Sequence, residues 1–270
     1  MKLFYRKFGD ATSKLIIIHG LYGASDNWIP IGKKLAKYHE VYILDVRNHG
    51  KSPHNIEHDY NSMSADIIEF MNEHCIKKAH IIGHSMGGKI AMYIAAKHPN
   101  KIESLISIDI APKNYSQNKN LAQHKIILKT MLNVNLKDLT QRADLKKQLA
   151  FNINSDYNFH FFAKNIKLNK NKKFEWKLNV PVLYNEIKSV ADGFSVEDKI
   201  NQNIKIPALF IKAELSNYIT EPDYKLIREM FPLAKIQTIH NTNHWVHMQQ
   251  AHVLTESLIA FYKNNKTKLH

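Results

Sequence analysis

The chain reads Gly83-His84-Ser85-Met86-Gly87-Gly88 between a short apolar run, residues 79–82, and a segment with helical periodicity, residues 86–97. A G-x-S-x-G pattern between a strand and a helix is typical of a sharp turn that projects a serine hydroxyl above a sheet. Side chains at the two flanking glycines would collide with the neighbouring strand and helix. The start of the helix behind the serine also favours developing negative charge. The sequence therefore predicts that Ser85 is a nucleophile.

Strand-like runs alternate with helical windows on both sides of this turn. The predicted strands are 15–18, 41–44, 79–82, 105–108, 208–211 and 236–239, and the predicted helices include 62–73, 86–97 and 246–262. This alternation predicts an α/β fold with a mostly parallel central sheet flanked by helices.

The alternation stops in the middle of the chain. Residues 113–190 have helical patterns and many Lys and Asn residues, with one short extended piece at 174–178. We therefore predict an α/β core formed by residues 1–112 and 191–270, and a helical insertion, residues 113–190, that forms a cap over Ser85.

The composition is that of a globular protein. Of the 270 residues, 44% are hydrophobic and 23% are charged, which excludes a disordered or collagenous chain. The single cysteine, Cys75, excludes an internal disulfide framework and a cysteine-based zinc site. The apolar runs are far shorter than the roughly 18–20 residues that span a bilayer, and the first ten residues lack a signal-type apolar core. We expect no integral membrane segment and a cytoplasmic location.

The net charge of +14 is concentrated in the insertion. Residues 113–190 contain 15 Lys and Arg but five Asp and Glu, a net charge of +10. One interpretation is codon bias, because Asn is abundant as well; the other is an anionic substrate. No helix-turn-helix, RNA-stacking or zinc-finger pattern accompanies the charge, so no nucleic acid partner is predicted.

Two backbone amides are predicted to stabilise an oxyanion beside the serine. The amide of Met86 follows the nucleophile directly, and the amide of Leu21 lies in the loop after the strand 15–18. His19, in the same loop, is interpreted as a residue that orders the loop and transfers no proton.

Chain order narrows the choice of general base among 16 histidines. In sites of this type the order is serine, acid, histidine, and the histidine follows the last strand. The candidates there are His240, His244, His247 and His252. His240 abuts the strand and the last two fall within the final helix, so His244 is predicted.

The acid has two candidates. It often follows the penultimate strand, but the usual aspartate position there holds Ser216, which cannot stabilise an imidazolium as a carboxylate does. Asp109 follows the strand 105–108 and can reach the same histidine from the neighbouring strand end. We favour Asp109 over Glu214, with a turn-forming role for Asp109 as the structural alternative. Ser216 is expected to hydrogen-bond near His244 as a fourth member of the site.

Several stretches that span nearly the whole chain resemble one family in the same order. They are 19–28, 45–52, 83–89, 108–112, 179–183 and 244–247. In them the chain resembles the α/β-hydrolase superfamily, and within it the ybfF-type esterases and related abhydrolases. One departure is that Asn241 and Asn243 stand where the family usually has glycines; asparagine tolerates the left-handed backbone that glycine adopts. A second departure is Lys212-Ala213, where the family usually has a glycine.

The resemblance implies a serine hydrolase of carboxylic esters, with acyl-CoA thioesters as further plausible substrates. It implies Ser85 as nucleophile, Asp109 as acid and His244 as base, and it supports an involvement of Ser216. The partner is then a small-molecule acyl ester or acyl-CoA, and this chemistry requires no metal or organic cofactor. The segment 45–52 is interpreted as a structural brace beneath the site.

The sequence of the insertion does not identify the acyl group of the substrate. Its aromatic cluster consists of Phe151, Tyr157, Phe159, Phe161 and Phe162. This cluster is either the core of the insertion or an apolar acyl pocket. An apolar pocket with a basic rim suits a fatty acyl group on an anionic head such as CoA. Hydrolysis of C–C bonds, lactonase or haloperoxidase-like chemistry, and a non-catalytic binding module remain alternatives. A serine nucleophile argues against dehalogenase and epoxide hydrolase activity.

Overall fold

The computed structural model describes residues 1–117, 119–149, 161–193 and 203–266. Its centre is a seven-stranded sheet in the order β1-β3-β2-β4-β5-β8-β9. These strands are β1 Tyr5–Phe8, β2 Lys14–Ile18, β3 Glu40–Leu44, β4 Ala79–His84, β5 Ile102–Ile108, β8 Ala208–Ala213 and β9 Ala234–Ile239. Only β1 pairs antiparallel; the other neighbours are parallel. The predicted, mostly parallel α/β sheet is confirmed.

Helices cover both faces of this sheet. They are α1 Ile29–Leu35, α2 Tyr60–Glu73, α3 Met86–Lys97, α7 Asp223–Met230, α8 Val246–Gln249 and α9 Ala251–Lys266. On β2, Ile16 and Ile18 belong to the core on the α2 and α3 side, whereas Leu15 and Ile17 belong to the core on the α1 and α9 side. Burial on both faces explains why this strand is continuously apolar rather than alternating.

The final helix is divided, so the prediction of one helix over 246–262 is wrong at one point. Gln250 leaves the helical region, with φ −129° and ψ 45°. The break lets the single turn α8 pack apart from α9. The ring of His247 stacks on Trp28 at 4.6 Å and 9°, while Leu254 and Leu258 pack beneath the sheet.

The segment 113–190 contains both helices and a hairpin. Its elements are α4 Lys119–Leu132, α5 Asp144–Leu149, the antiparallel pair β6 Ile166–Leu168 and β7 Phe174–Trp176, and α6 Val180–Asp192, which extends two residues beyond it. The predicted extended piece at 174–178 corresponds to β7. Its partner β6 was not predicted, because three residues of which two are exposed carry no periodic signal. Among the described residues, no helix has the length and apolarity to cross a membrane.

Candidate active site

Ser85 lies on the sharp turn that its sequence predicts. The turn joins β4 to α3, and Ser85 has φ 52° and ψ −118°, a conformation that side-chain-bearing residues rarely adopt. A Cβ at Gly83 would lie 2.2 Å from the carbonyl oxygen of Gly87, and one at Gly87 would lie 2.3 Å from that of Ile18. The two glycines are therefore required by close backbone approach.

Gly83→Ala is expected to lower the free energy of unfolding by about 3 kcal/mol, because the added methyl meets only backbone atoms. Urea unfolding measures the change. Gly32→Ala in α1 is the matched control: its Cβ would meet the flexible end of Ile43 at 2.6 Å, so a change within about 1 kcal/mol is expected. Equal losses in the two variants would contradict this account of the turn.

Three predicted site residues from different elements meet at one point. Nε2 of His244 lies 2.9 Å from Oγ of Ser85, and Nδ1 of His244 lies 2.8 Å from Oδ2 of Asp109. His244 lies in the loop between β9 and α8, and Asp109 directly follows β5. The arrangement allows Ser85 to donate to His244, and His244 to donate to Asp109.

Asp109 is held rigidly. It is fully buried, and its Oδ1 accepts a hydrogen bond of 3.0 Å from the Ala213 amide. Its own amide donates to the Ile211 carbonyl at 2.7 Å, and its φ is +51°. The left-handed backbone turns the side chain out of the strand direction at the carboxyl end of the sheet. Its second oxygen is thus aimed at the histidine.

The other candidates lie elsewhere. Glu214 pairs with His240 on the surface, at 2.9 Å, and its second oxygen accepts from the Asn241 amide. These hydrogen bonds, the one from Asn241 first, lower the pKa of Glu214. His247 is stacked on Trp28, and His252 is an exposed residue of α9. Among these groups, none reaches Ser85.

Ser216 is placed beside the histidine loop and not in the hydrogen-bonded chain. Its hydroxyl accepts from the Tyr218 amide at 3.2 Å, and both residues line a surface hollow that includes His244. Within the described part of the chain, Ser216 makes no hydrogen bond to His244 or Asp109. Instead, the ring of Tyr218 stacks on the His244 ring at 4.0 Å and 20°. Sequence reasoning missed Tyr218, because no local pattern marks a contact across 26 residues.

The predicted oxyanion amides border the same cavity as the serine. Leu21, Ser85 and Met86 are among its lining residues. Met86 is the first residue of α3, so its amide has no partner within the helix. In the loop, the amide of Gly23 donates to the Gly20 carbonyl and that of Tyr22 to His49, which leaves the Leu21 amide outside the turn's own hydrogen bonds.

Histidines beneath the site brace its loops. Nδ1 of His19 donates to the Gly20 carbonyl at 2.8 Å, and its Nε2 accepts from the Val46 amide at 3.0 Å. Nε2 of His84 lies 2.8 Å from the carbonyl oxygen of His244. Burial, followed by the nearby His247 and His244, lowers the pKa of His84 well below its ordinary value, so the ring is neutral. Both ring nitrogens of His19 thus hydrogen-bond to loop backbone, which agrees with its interpretation as a loop-ordering residue.

The segment 45–52 is likewise a brace. The carboxylate of Asp45 accepts from the amides of Ser25 and Lys51, and Arg47 forms a buried ion pair with Asp66 at 2.6 Å. Asn241 has φ +54°, so asparagine indeed supports a left-handed backbone before His244.

The buried histidines predict acid sensitivity. Among the described residues, burial lowers the pKa of six: to about 3 for His58 and His247, to about 4 for His124, well below 6.5 for His49 and His84, and below 6.5 for His19. The unfolded chain therefore binds more protons below pH 6.5, and stability is lost as the pH falls towards these values. Each histidine contributes about 1.4 kcal/mol per pH unit.

Urea unfolding is therefore expected to give a free energy several kcal/mol lower at pH 5.5 than at pH 7. His58→Leu should reduce this difference by about one histidine's share, since its Nε2 has no hydrogen-bond partner among the described residues. Equal stability of the unaltered protein at both pH values would contradict the neutral, buried state of these rings.

The cavity at Ser85 is small and mostly apolar. Its volume is about 40 Å³, and residues of α4 and α6 line it, with Leu121, Ile187 and Val190 in its wall. Such a volume holds about three water molecules. Within the described residues, no group of three or more His, Cys, Asp or Glu is placed to hold a metal ion.

The two described residues of the aromatic cluster pack outside this cavity. Phe161 contacts Trp245, with ring centroids 4.2 Å apart, and Phe162 contacts Tyr22 at 5.2 Å. Both are 2% exposed and belong to the core, which supports the packing interpretation for them. Phe151, Tyr157 and Phe159 lie outside the described residues.

Comparisons with known proteins identify the family of the chain. The sn-1-specific diacylglycerol lipase ABHD11 of Danio rerio is 32% identical over 94% of this chain and 79% of the fish protein. The Escherichia coli esterase YbfF is 30% identical over 88% of this chain and 89% of its own length. A solved marine microorganism esterase is 39% identical, with a TM-score of 0.93, over 96% of this chain and 99% of the other. A family model described as alpha/beta hydrolase fold matches residues 14–251, and the chain belongs to this α/β-hydrolase family.

Proposed function

We propose that the protein is a serine esterase that hydrolyses carboxylic esters through an acyl-enzyme formed on Ser85. The observation that carries the proposal is the hydrogen-bonded chain from Ser85 through His244 to Asp109 at the floor of a cavity. The names of the relatives, which are esterases and a lipase, support it.

In the proposed reaction, Nε2 of His244 takes the proton of Ser85 as Oγ attacks the acyl carbonyl carbon. Asp109 holds the Nδ1 proton of His244 and stabilises the imidazolium. The amides of Leu21 and Met86 donate to the oxyanion of the tetrahedral intermediate. The imidazolium then returns its proton to the leaving alcohol, and the ester bond breaks.

The same groups release the acyl product. Water replaces the alcohol, His244 takes one of its protons, and the hydroxide oxygen attacks the acyl-enzyme carbonyl. Collapse of this second intermediate breaks the bond to Ser85, and His244 returns the proton to Oγ. All groups that move protons in this cycle belong to the chain itself.

Ser216 and Tyr218 are proposed as supports of the histidine. The hydroxyl of Ser216 orders the turn that brings the Tyr218 ring onto His244. We propose residues 113–190 as the cap over the α/β core 1–112 and 191–270, because residues of its helices α4 and α6 line the cavity at Ser85. The cap therefore decides which acyl groups enter.

The cavity volume favours short acyl groups. We expect p-nitrophenyl butyrate to be hydrolysed with a kcat/KM at least tenfold above that of p-nitrophenyl palmitate, since about 40 Å³ cannot take a sixteen-carbon chain. Release of nitrophenolate, below the solubility limit of each ester, measures both. Equal values of kcat/KM would show that the acyl chain lies outside this cavity. If neither ester were hydrolysed, the esterase proposal would be contradicted.

Acyl-CoA thioesters are proposed as a further substrate class, on the net charge of +10 of residues 113–190. If this charge attracts the anionic head, kcat/KM for butyryl-CoA should fall several-fold between 50 and 500 mM salt, because salt screens exposed charges. The neutral p-nitrophenyl butyrate is the matched control. If salt changed kcat/KM equally for the two substrates, a role for this charge in binding acyl-CoA would be contradicted.

A further inference from the structure

A lysine lies buried one helical turn from the proposed nucleophile. Lys89 is 1% exposed, and its amide donates to the Ser85 carbonyl at 3.2 Å. This hydrogen bond links residues four apart at the start of α3. Helical side chains lean towards the amino terminus, so the stem of Lys89 leans towards the turn that carries Ser85.

Among the described residues, the ammonium group of Lys89 has few partners for a buried charge. Its Nζ donates to the Ala191 carbonyl at 3.0 Å and lies over the rings of Tyr115 and Tyr60, at 4.7 and 5.6 Å. Among the described residues, no carboxylate lies within 4.0 Å of this nitrogen. In this described part of the chain, one carbonyl and two ring faces replace only part of the hydration that a buried ammonium loses.

The electrostatic surroundings agree with this incomplete compensation. Burial lowers the pKa of Lys89 to about 7, with Asp192 raising it and Lys113 lowering it further. Lys113 is itself paired with Asp223 at 2.7 Å. A perturbed cation in a pocket is a candidate for a functional group.

Lys89 and Ser85 line the same cavity. The walls near them are apolar and include Met86, Ile110 and Val190. An acyl group bound to Ser85 would contact these apolar walls in the cavity that Lys89 also lines. The cavity thus combines a reactive hydroxyl, apolar walls and a cation.

We propose that Lys89 binds a carboxylate at the far end of the acyl group, so that the enzyme prefers half-esters of short dicarboxylic acids. The proposal rests on the esterase function proposed above and names its substrate class. A carboxylate supplies the charge-assisted hydrogen bond that the buried ammonium lacks, whereas a neutral alkyl end would leave it uncompensated.

The first test compares monoethyl succinate with ethyl butyrate, which have the same leaving group and similar length. We expect the unaltered enzyme to favour the half-ester at least tenfold in kcat/KM, measured by acid release at pH 6.5. Lys89→Met should lower this ratio at least tenfold, while Lys97→Met, on the exposed part of the same helix, should keep it. A ratio near one in the unaltered enzyme, or one unchanged by Lys89→Met, would overturn the proposal.

The second test needs no variant. The ratio of kcat/KM for the half-ester to that for the neutral ester should fall as the pH rises through about 7, because only the protonated lysine attracts the carboxylate. Groups that act on the ester bond itself affect both substrates equally, so their contribution cancels in the ratio. A ratio constant between pH 6 and 8.5 would contradict a role for Lys89 in binding.

A binding measurement separates this proposal from the esterase function. Succinate should bind at least tenfold more tightly than butyrate at pH 6.5, by calorimetric titration, and Lys89→Met should abolish the difference. If neither ester is hydrolysed but this difference is found, the esterase proposal fails and the carboxylate site stands. Equal binding of the two acids overturns the site whatever the activity.

Discussion

Ser85→Ala is expected to lower kcat for p-nitrophenyl butyrate by about 10⁴-fold or more, because the alanine leaves no atom to form the acyl-enzyme. The remaining activity would come from the oxyanion amides and from binding alone. Initial rates measured with enough enzyme to detect such a loss, at saturating ester, give this value.

Two controls test whether the loss of activity is specific to the hydroxyl of Ser85. Alanine has the same backbone restriction as serine at φ 52°, so the thermal midpoint of Ser85→Ala should stay within a few degrees of that of the unaltered protein. Ser257→Ala in α9, whose residues pack on the opposite side of the sheet, should keep full activity. Activity of Ser85→Ala within tenfold of the unaltered enzyme would exclude the proposed nucleophile.

Asp109→Asn is expected to lower kcat by about 10⁴-fold with the fold retained. Asparagine fits the left-handed backbone and can still accept from the Ala213 amide through its carbonyl oxygen. Its NH₂ group would then face Nδ1 of His244 and favour the tautomer with the proton on Nε2. That nitrogen could no longer accept the proton of Ser85.

Glu214→Gln is the matched control for this variant. Glu214 is the alternative acid from the sequence, and it lies in a surface pair with His240. We expect its kcat to change less than tenfold under the same conditions. If Glu214→Gln were the inactive variant and Asp109→Asn the active one, the assignment of the acid would be reversed.

The strands that could be predicted from sequence are those with continuous burial. Residues 105–108 and 208–211 form apolar runs because helices cover both faces of the sheet. β1 was missed, since it is an edge strand that contains Arg6 and Lys7 and is only partly buried. The break at Gln250 could not be predicted either, because it depends on how α8 packs against Trp28.

Some residues of the candidate site could likewise be predicted from the sequence, and others could not. A local motif predicts Ser85 as a site residue, and chain order and position at strand ends predict His244 and Asp109. The stack of Tyr218 on His244 and the burial of Lys89 depend on contacts between distant segments, such as the 102 residues that separate Lys89 from Ala191. No pattern in either segment indicates such a contact, so only the structure brings these two residues into the account.

A fluorophosphonate labelling experiment tests the central proposal most directly. The reagent phosphonylates an activated serine, so mass spectrometry of the digested protein should find the adduct on the peptide that contains Gly83-His84-Ser85-Met86-Gly87-Gly88. We predict one adduct per chain, located on Ser85, and none in Ser85→Ala or after heat unfolding. An unlabelled folded protein that still hydrolyses p-nitrophenyl butyrate, or an adduct on another residue, would contradict the account.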